Sequence, residues 1–162
     1  MGGEVNRMEL TSQDVAWAKE NLRKNDIFSS CSEADLNELA GGMEKENYNQ
    51  NQTVLFQGEI SSRLCMVQSG TVSVWVRKNK DKTKVAELGA GAVFGEISLM
   101  TPRAATATIK AEAATEIIFL PGEVVQSLGK KNPAFSDIIN KKIEERLEKN
   151  KQAMEDKQNG TK

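Results

Sequence analysis

Short strands broken by turn signals fill the middle of the chain, and this texture constrains the fold more than any other feature. It begins at about residue 52. Thr53 to Phe56 is closed by Gly58, and Leu64 to Gln68 by Ser69-Gly70. The clearest run is Thr71 to Arg77, where Val72, Val74 and Val76 alternate with Ser73, Trp75 and Arg77. A period of two puts the valines on one face and the others on the opposite face, as in a half-buried strand. Lys78-Asn79-Lys80-Asp81-Lys82 reads as a solvated hairpin tip. Val85 to Leu88 returns, and Gly89-Ala90-Gly91 turns again. Thr106 to Ala111 and Thr115 to Leu120 are also β-rich. Strands this short and this closely spaced predict a closed or sandwich-like β barrel.

Helical patterns flank the strands. Ser12-Gln13-Asp14 opens the first, with Val15, Ala18 and Leu22 at helical spacing. Ser32 opens the second, with Leu36, Leu39 and Met43 as its apolar stripe and Gly41-Gly42 near its end. Ile27 and Phe28 form a buried elbow between them. After the strands, Pro121-Gly122 precedes a short helix from Glu123 to Leu128. Asn132-Pro133 is then a cap and first-position proline for a last helix. Phe135, Ile139, Ile143 and Leu147 make its narrow apolar seam, set among Lys141, Lys142, Glu144, Glu145, Arg146 and Glu148. One domain over 12–148 follows: N-terminal helices in 12–50, strands in 52–120 and C-terminal helices in 121–148. Residues 1–11 and 149–162 read as a tail and a frayed end.

Composition narrows the function. The formal net charge of -1 gives no sign of a basic face for nucleic acid. No apolar run reaches the ~20 residues that span a bilayer, and the N-terminus lacks a secretion signal. Cys31 and Cys65 are expected to be free thiols in a reducing, cytoplasmic compartment. The chain has no histidine. That removes most zinc and iron sites, including those of a metal cupin, and His-based catalysis. The expectation is a non-enzyme with no metal and no cofactor.

The chemistry is concentrated in Val93 to Thr106, where Gly95, Glu96 and Arg103 sit in a small, apolar run. A Glu and an Arg taken out of water need partners. They suit each other, or a ligand that brings hydroxyls to the Glu and an anion to the Arg.

Three stretches in order carry a resemblance to a known family. They are Val54-Leu55-Phe56-Gln57-Gly58-Glu59 followed by Met66 to Val74, then Phe94-Gly95-Glu96-Ile97-Ser98-Leu99-Met100, then Pro102-Arg103-Ala104-Ala105-Thr106-Ala107. With the flanking helices, the chain resembles the cyclic nucleotide-binding domain family of kinase regulatory subunits, nucleotide-gated channels and catabolite-activator-type sensors. The resemblance implies a mainly β fold with flanking helices. The fold is a β-roll, a jelly-roll-like barrel, with a phosphate-binding cassette and a C-terminal lid helix. It also implies roles. Phe94 opens the cassette and Gly95 lets backbone approach closely. Glu96 accepts from the ribose 2′-hydroxyl. Ile97 and Ser98 begin a short helix whose amides face the phosphate. Arg103 binds the phosphate, and small Ala104 and Ala105 let the chain run beside it and offer an N–H. Leu88 and Ala86 give the base an apolar wall. Ile138, Ile139, Lys142 and Arg146 are the candidates for covering it.

Two details shade this picture. Glu96 and Arg103 are seven residues apart, and the family's usual cassette is a couple of residues longer, the shortening falling at Thr101-Pro102. In the family a Thr or Ser after the arginine favours cyclic GMP. Ala104 at that position points to cyclic AMP as regulatory ligand, with cyclic GMP the other candidate. The expected function is a sensor that passes binding through its C-terminal helix to an effector protein or a fused domain. The Phe135–Leu147 seam either packs on the barrel or pairs with another helix, as in a homodimer. The alternative is a nucleotide-independent interaction module with a degenerate cassette.

Overall fold

The computed structural model describes residues 6–160. Its strands are β1 (Asn6–Met8), β2 (Glu44–Tyr48), β3 (Thr53–Leu55), β4 (Ile60–Ser61), β5 (Arg63–Ser69), β6 (Val72–Lys78), β7 (Asp81–Leu88), β8 (Val93–Phe94), β9 (Arg103–Ala104), β10 (Thr108–Ala111) and β11 (Thr115–Pro121). Helices α1 (Ser12–Arg23) and α2 (Glu33–Gly41) precede most of them, and α3 (Gly122–Lys131) and α4 (Pro133–Gly160) follow. The five-stranded sheet has the order β1-β2-β11-β5-β8, the four-stranded sheet β3-β10-β6-β7, and β4 pairs with β9. All pairings are antiparallel. This is the mainly β roll with flanking helices that the sequence predicts.

Strands β5 and β11 are buried on both faces, which explains their unbroken apolar runs. Cys65, Val67, Ile117 and Phe119 face the four-stranded sheet and share a core with Val54, Val72, Ile109 and Ala111. Leu64, Met66, Ile118 and Leu120 face the other way, into a core with Ala18, Leu22, Phe28, Leu36, Leu39, Val125, Phe135 and Ile139. Each fully buried Leu, Ile or Phe contributes about 1.5–3 kcal/mol relative to exposure. The seam of α4 therefore packs on the helical side of the sheet.

Both N-terminal helices open with capping boxes: Thr11 accepts from the Asp14 amide and Ser32 from that of Asp35, and each carboxylate accepts back. Asn132 caps α4 by accepting from the Phe135 amide at 3.3 Å. The β6–β7 tip is tighter than expected. Lys78 pairs with Asp81, so the turn proper is Asn79-Lys80, with Asn79 at φ 60°.

Three expectations need correction. Residues 6–8 of the expected tail form β1, paired with β2, while residues 1–5 lie outside the described residues. Residues 44–48, expected within the helical N-terminal part, form β2. Their charges hid the strand: Lys45 and Glu46 are buried at 7% and 5% exposure. Lys45 pairs with Asp14 and Glu116. Glu46 accepts from the Tyr48 hydroxyl at 2.7 Å and lies near Arg7 and Arg63. Finally, α4 does not end at 148 but continues to Gly160.

Candidate functional site

Strand β8 extends the edge of β5, with Cys65 opposite Phe94 and Met66 opposite Val93. The chain then turns sharply. Gly95 has φ +90°, and a Cβ there would sit 2.6 Å from the Arg63 carbonyl oxygen. Only glycine meets both demands. A 3-10 turn over Glu96–Ser98 follows. The Ser98 amide and Oγ both donate to the Gly95 carbonyl, at 3.3 and 3.0 Å. Leu99 then plunges into the helical core at 0% exposure. The chain leaves along β9, where Arg103 stands opposite Ser61 and Ala104 opposite Ile60. Past β9, Ala105 donates to Glu59 O and accepts from the Gly58 amide, each at 2.8 Å.

The expected residues divide into groups. Phe94 and Leu88 are partly buried and pack against the core between the sheets. Ala86 lies on the exposed edge strand β7 and forms no enclosed wall. Ile97 packs on the helical core. The amides of Ser98 and Ala105 are taken by Gly95 and Glu59, because the turn closes on itself and the chain after β9 pairs with the Phe56–Glu59 turn. Neither is open to an anion. Ala104 and Arg103 are exposed. The Arg103 guanidinium has no ion-pair or hydrogen-bond partner among the described residues.

Glu96 is not paired with Arg103. Its side chain is 15% exposed, and Oε1 accepts from Nη1 of Arg146 on α4. Arg146 also reaches Asp26 in the turn after α1, Nη2 to Oδ2 at 3.2 Å. One guanidinium thus joins the cassette, the last helix and the N-terminal elbow. Of the other lid candidates, Ile139 is buried in the helical core. Ile138, 41% exposed, lines a groove with Ser30, Cys31 and Phe135.

Three supporting residues escaped the sequence reading. Gln126 of α3 donates from Nε2 to the carbonyls of Leu99 and Met100, at 3.1 and 3.3 Å. The Gly122 amide donates to Ser62 O at 2.6 Å. Asp26 holds Arg146. Their partners are backbone carbonyls or distant side chains, which no local pattern announces. Both cysteines are free, as expected. Burial pushes the Cys65 thiol up to about 12; burial, with some help from Asp35, pushes Cys31 up to about 11. Neither thiol is activated. No group of three or more His, Cys, Asp or Glu among the described residues can hold a metal ion.

The β-roll thus carries a glycine-initiated turn, a carboxylate bonded to the last helix and an exposed arginine on one short connection, and comparison identifies the family. The family model for the cyclic nucleotide-binding domain matches residues 45–132. The chain belongs to that family. It is 35% identical over 108 residues to a cGMP-dependent protein kinase of Eimeria tenella, covering 67% of this chain and 10% of the kinase. It is 28% identical over 109 residues to a cAMP-dependent protein kinase regulatory subunit of Mycosarcoma maydis, covering 67% of this chain and 21% of the subunit. The chain thus spans only a small part of such relatives. Among solved structures, a cyclic nucleotide-binding domain from Methylobacillus flagellatus superposes with TM-score 0.75 at 19% identity, over 94% of this chain and 86% of that one. The regulatory domain of Toxoplasma gondii PKA with cAMP gives 0.66 at 25% identity, over 74% and 46%. No helix of the described residues is long and apolar enough to cross a membrane.

Proposed function

We propose that this chain is a non-catalytic, cytoplasmic sensor that binds cyclic AMP in preference to cyclic GMP and signals through α4 to an effector protein or attached domain. The observation that carries the reading is Arg103, an exposed guanidinium without a partner among the described residues, in a cassette where Ser98 bonds back to Gly95 and Ala104 pairs with Ile60. A planar fork left open suits phosphate oxygens. The nucleotide phosphate sits on Arg103, the ribose 2′-hydroxyl on the Glu96 oxygen that Arg146 leaves, and the base above Leu88. Ala104 offers no side-chain hydrogen bond to a guanine, which supports cyclic AMP. The relatives include kinases named for each nucleotide and do not decide between them.

Titration calorimetry with cyclic AMP, cyclic GMP and 2′-deoxy cyclic AMP tests the proposal. The wild-type chain binds cyclic AMP most tightly. Arg103→Ala weakens binding by more than the ~1 kcal/mol that an exposed pair supplies. Glu96→Gln weakens the ribo ligand more than the deoxy one. Equal losses for both ligands make Glu96 structural. The Glu96–Arg146 pair favours a second reading, an interaction module whose cassette carboxylate is already occupied by its own helix. Absence of heat at millimolar nucleotide selects it.

A further inference from the structure

Only Leu99, Met100, Thr101 and Pro102 separate the 3-10 turn from Arg103. The carbonyls that end a helical turn lack intrahelical partners. Here the one from Leu99 belongs to a residue whose side chain is fully buried. Gln126 answers this with a carboxamide that has two N–H donors, one for Leu99 O and one for Met100 O. The two residues beyond are stiff, because proline fixes its own φ and biases the preceding residue to extended backbone. Fixing Met100 therefore restricts where Arg103 can stand.

The opposite side of Arg103 leads to the same helix. Ser61 pairs with Arg103 across β4–β9, and the next residue, Ser62, accepts from the Gly122 amide at 2.6 Å. A Cβ on Gly122 would lie 2.3 Å from Ser62 O and 2.5 Å from Leu99 O, so the start of α3 is wedged between the two segments. Both backbone supports of Arg103 thus end on α3, one through a main-chain amide and one through a side chain.

We propose that Gln126 is a positioning residue for the phosphate-binding arginine. Its carboxamide replaces support that a longer cassette would supply itself, and it aims the Arg103 guanidinium at the nucleotide phosphate. The inference rests on the cyclic-nucleotide reading and names a residue that touches no ligand.

Gln126→Met keeps the side-chain length and removes both donors. Cyclic AMP affinity is measured by calorimetry for the wild type, Gln126→Met, Arg103→Ala and the double variant, alongside amide hydrogen exchange of Thr101, Arg103 and Ala104 without ligand. Both hydrogen bonds exist without ligand, so only the lost ordering of Arg103 reaches the affinity, and a weakening of about threefold to tenfold is expected. In the Arg103→Ala background the same change adds less than about a twofold loss, since the group it aims is gone. Exchange at Thr101, Arg103 and Ala104 rises. Unchanged affinity in Gln126→Met with normal wild-type binding overturns this proposal alone. So does an equal loss in both backgrounds, or unchanged exchange. A wild-type chain that binds no cyclic nucleotide overturns the proposed function and this proposal with it.

Discussion

Arg146→Met keeps an apolar stem on α4 and removes the guanidinium that joins Glu96 to Asp26. The two carboxylates lose it unequally, since the Glu96 side chain is 15% exposed and that of Asp26 65%. An exposed pair is worth about 1 kcal/mol or less, so the Asp26 contact is the minor one. Glu96 is left with a charge that little water can reach. A lost hydrogen bond to a charged group costs about 1.5–3 kcal/mol, and breaking a fully buried pair about 3–5 kcal/mol. For a side chain that keeps some water, we expect about 2 kcal/mol in all. In a chain of this length that lowers Tm by about 4–8 °C. Urea unfolding reads it as a lower midpoint at constant slope. The same reasoning fixes the double variant. Glu96→Gln removes the stranded charge, so adding Arg146→Met to it costs less than about 1 kcal/mol, a coupling of about 1 kcal/mol or more. Additive losses would refute the argument. So would an Arg146→Met variant no less stable than Asp26→Asn.

Three further outcomes follow from single residues. Gly95→Ala forces a side chain onto φ +90° with its Cβ 2.6 Å from a carbonyl, and should destabilise by about 2 kcal/mol or more in urea melts; a loss under half that means the turn relaxes freely. Asp14 has its carboxyl held at about 2: burial raises it, but hydrogen bonds from the Thr11 amide and Gln68, and the Lys45 ammonium, outweigh burial. Its folded value lies below its unfolded one, so its contribution is complete above the unfolded value and is lost as pH falls from about 5 towards 2. Melts across that range should show a flatter acid decline in Asp14→Asn than in wild type, and parallel curves contradict the assignment. The raised Cys31 and Cys65 thiols should alkylate far more slowly in the native protein than in guanidinium chloride at about pH 8; comparable rates show that they are accessible.

What the sequence discloses depends on how far away each residue's partner lies. Gly95 was legible because a left-handed φ is a local demand that one residue type meets, although the carbonyl that approaches it belongs to distant Arg63. Strands β5 and β11 were legible because Leu64 to Val67 and Ile117 to Leu120 are buried residue after residue. Strand β2 was not. Its Lys45 and Glu46 are buried only because Asp14, Glu116, Tyr48 and Arg63 converge on them from α1, β11, β2 itself and β5. Charge periodicity cannot report such pairings before the sheet exists. The site divides in the same way. The residue types of the cassette were readable, but the use of their amides was not, because a turn that closes from Ser98 to Gly95 and one that leaves Ser98 open have the same sequence.

Arg146 shows where the two kinds of information meet. The sequence offered it as a cover for the base and offered Glu96 as an acceptor for the ribose, two contacts to a ligand and none to each other. Folding brings them together across fifty residues of chain. Under the proposed function, one carboxylate then serves both the nucleotide and the helix that carries the signal. A ligand moves that helix only by the difference between its affinities for the two arrangements. One source of that difference is how a ribose hydroxyl on one Glu96 oxygen changes the hold of the other on Arg146. If the hydroxyl draws charge away from the shared carboxylate, the Arg146 contact weakens while the exposed Asp26 contact keeps the guanidinium nearby. The elbow after α1 would then act as the resting place of the clasp, and Asp26→Asn should alter the response of α4 to nucleotide and, by linkage, shift the apparent affinity by about fivefold or less, the limit an exposed pair sets. Measuring both, by calorimetry and by a fluorescent label on α4, separates a clasp that transmits from one that only stabilises: a label response identical to wild type leaves Asp26 with no part in signalling.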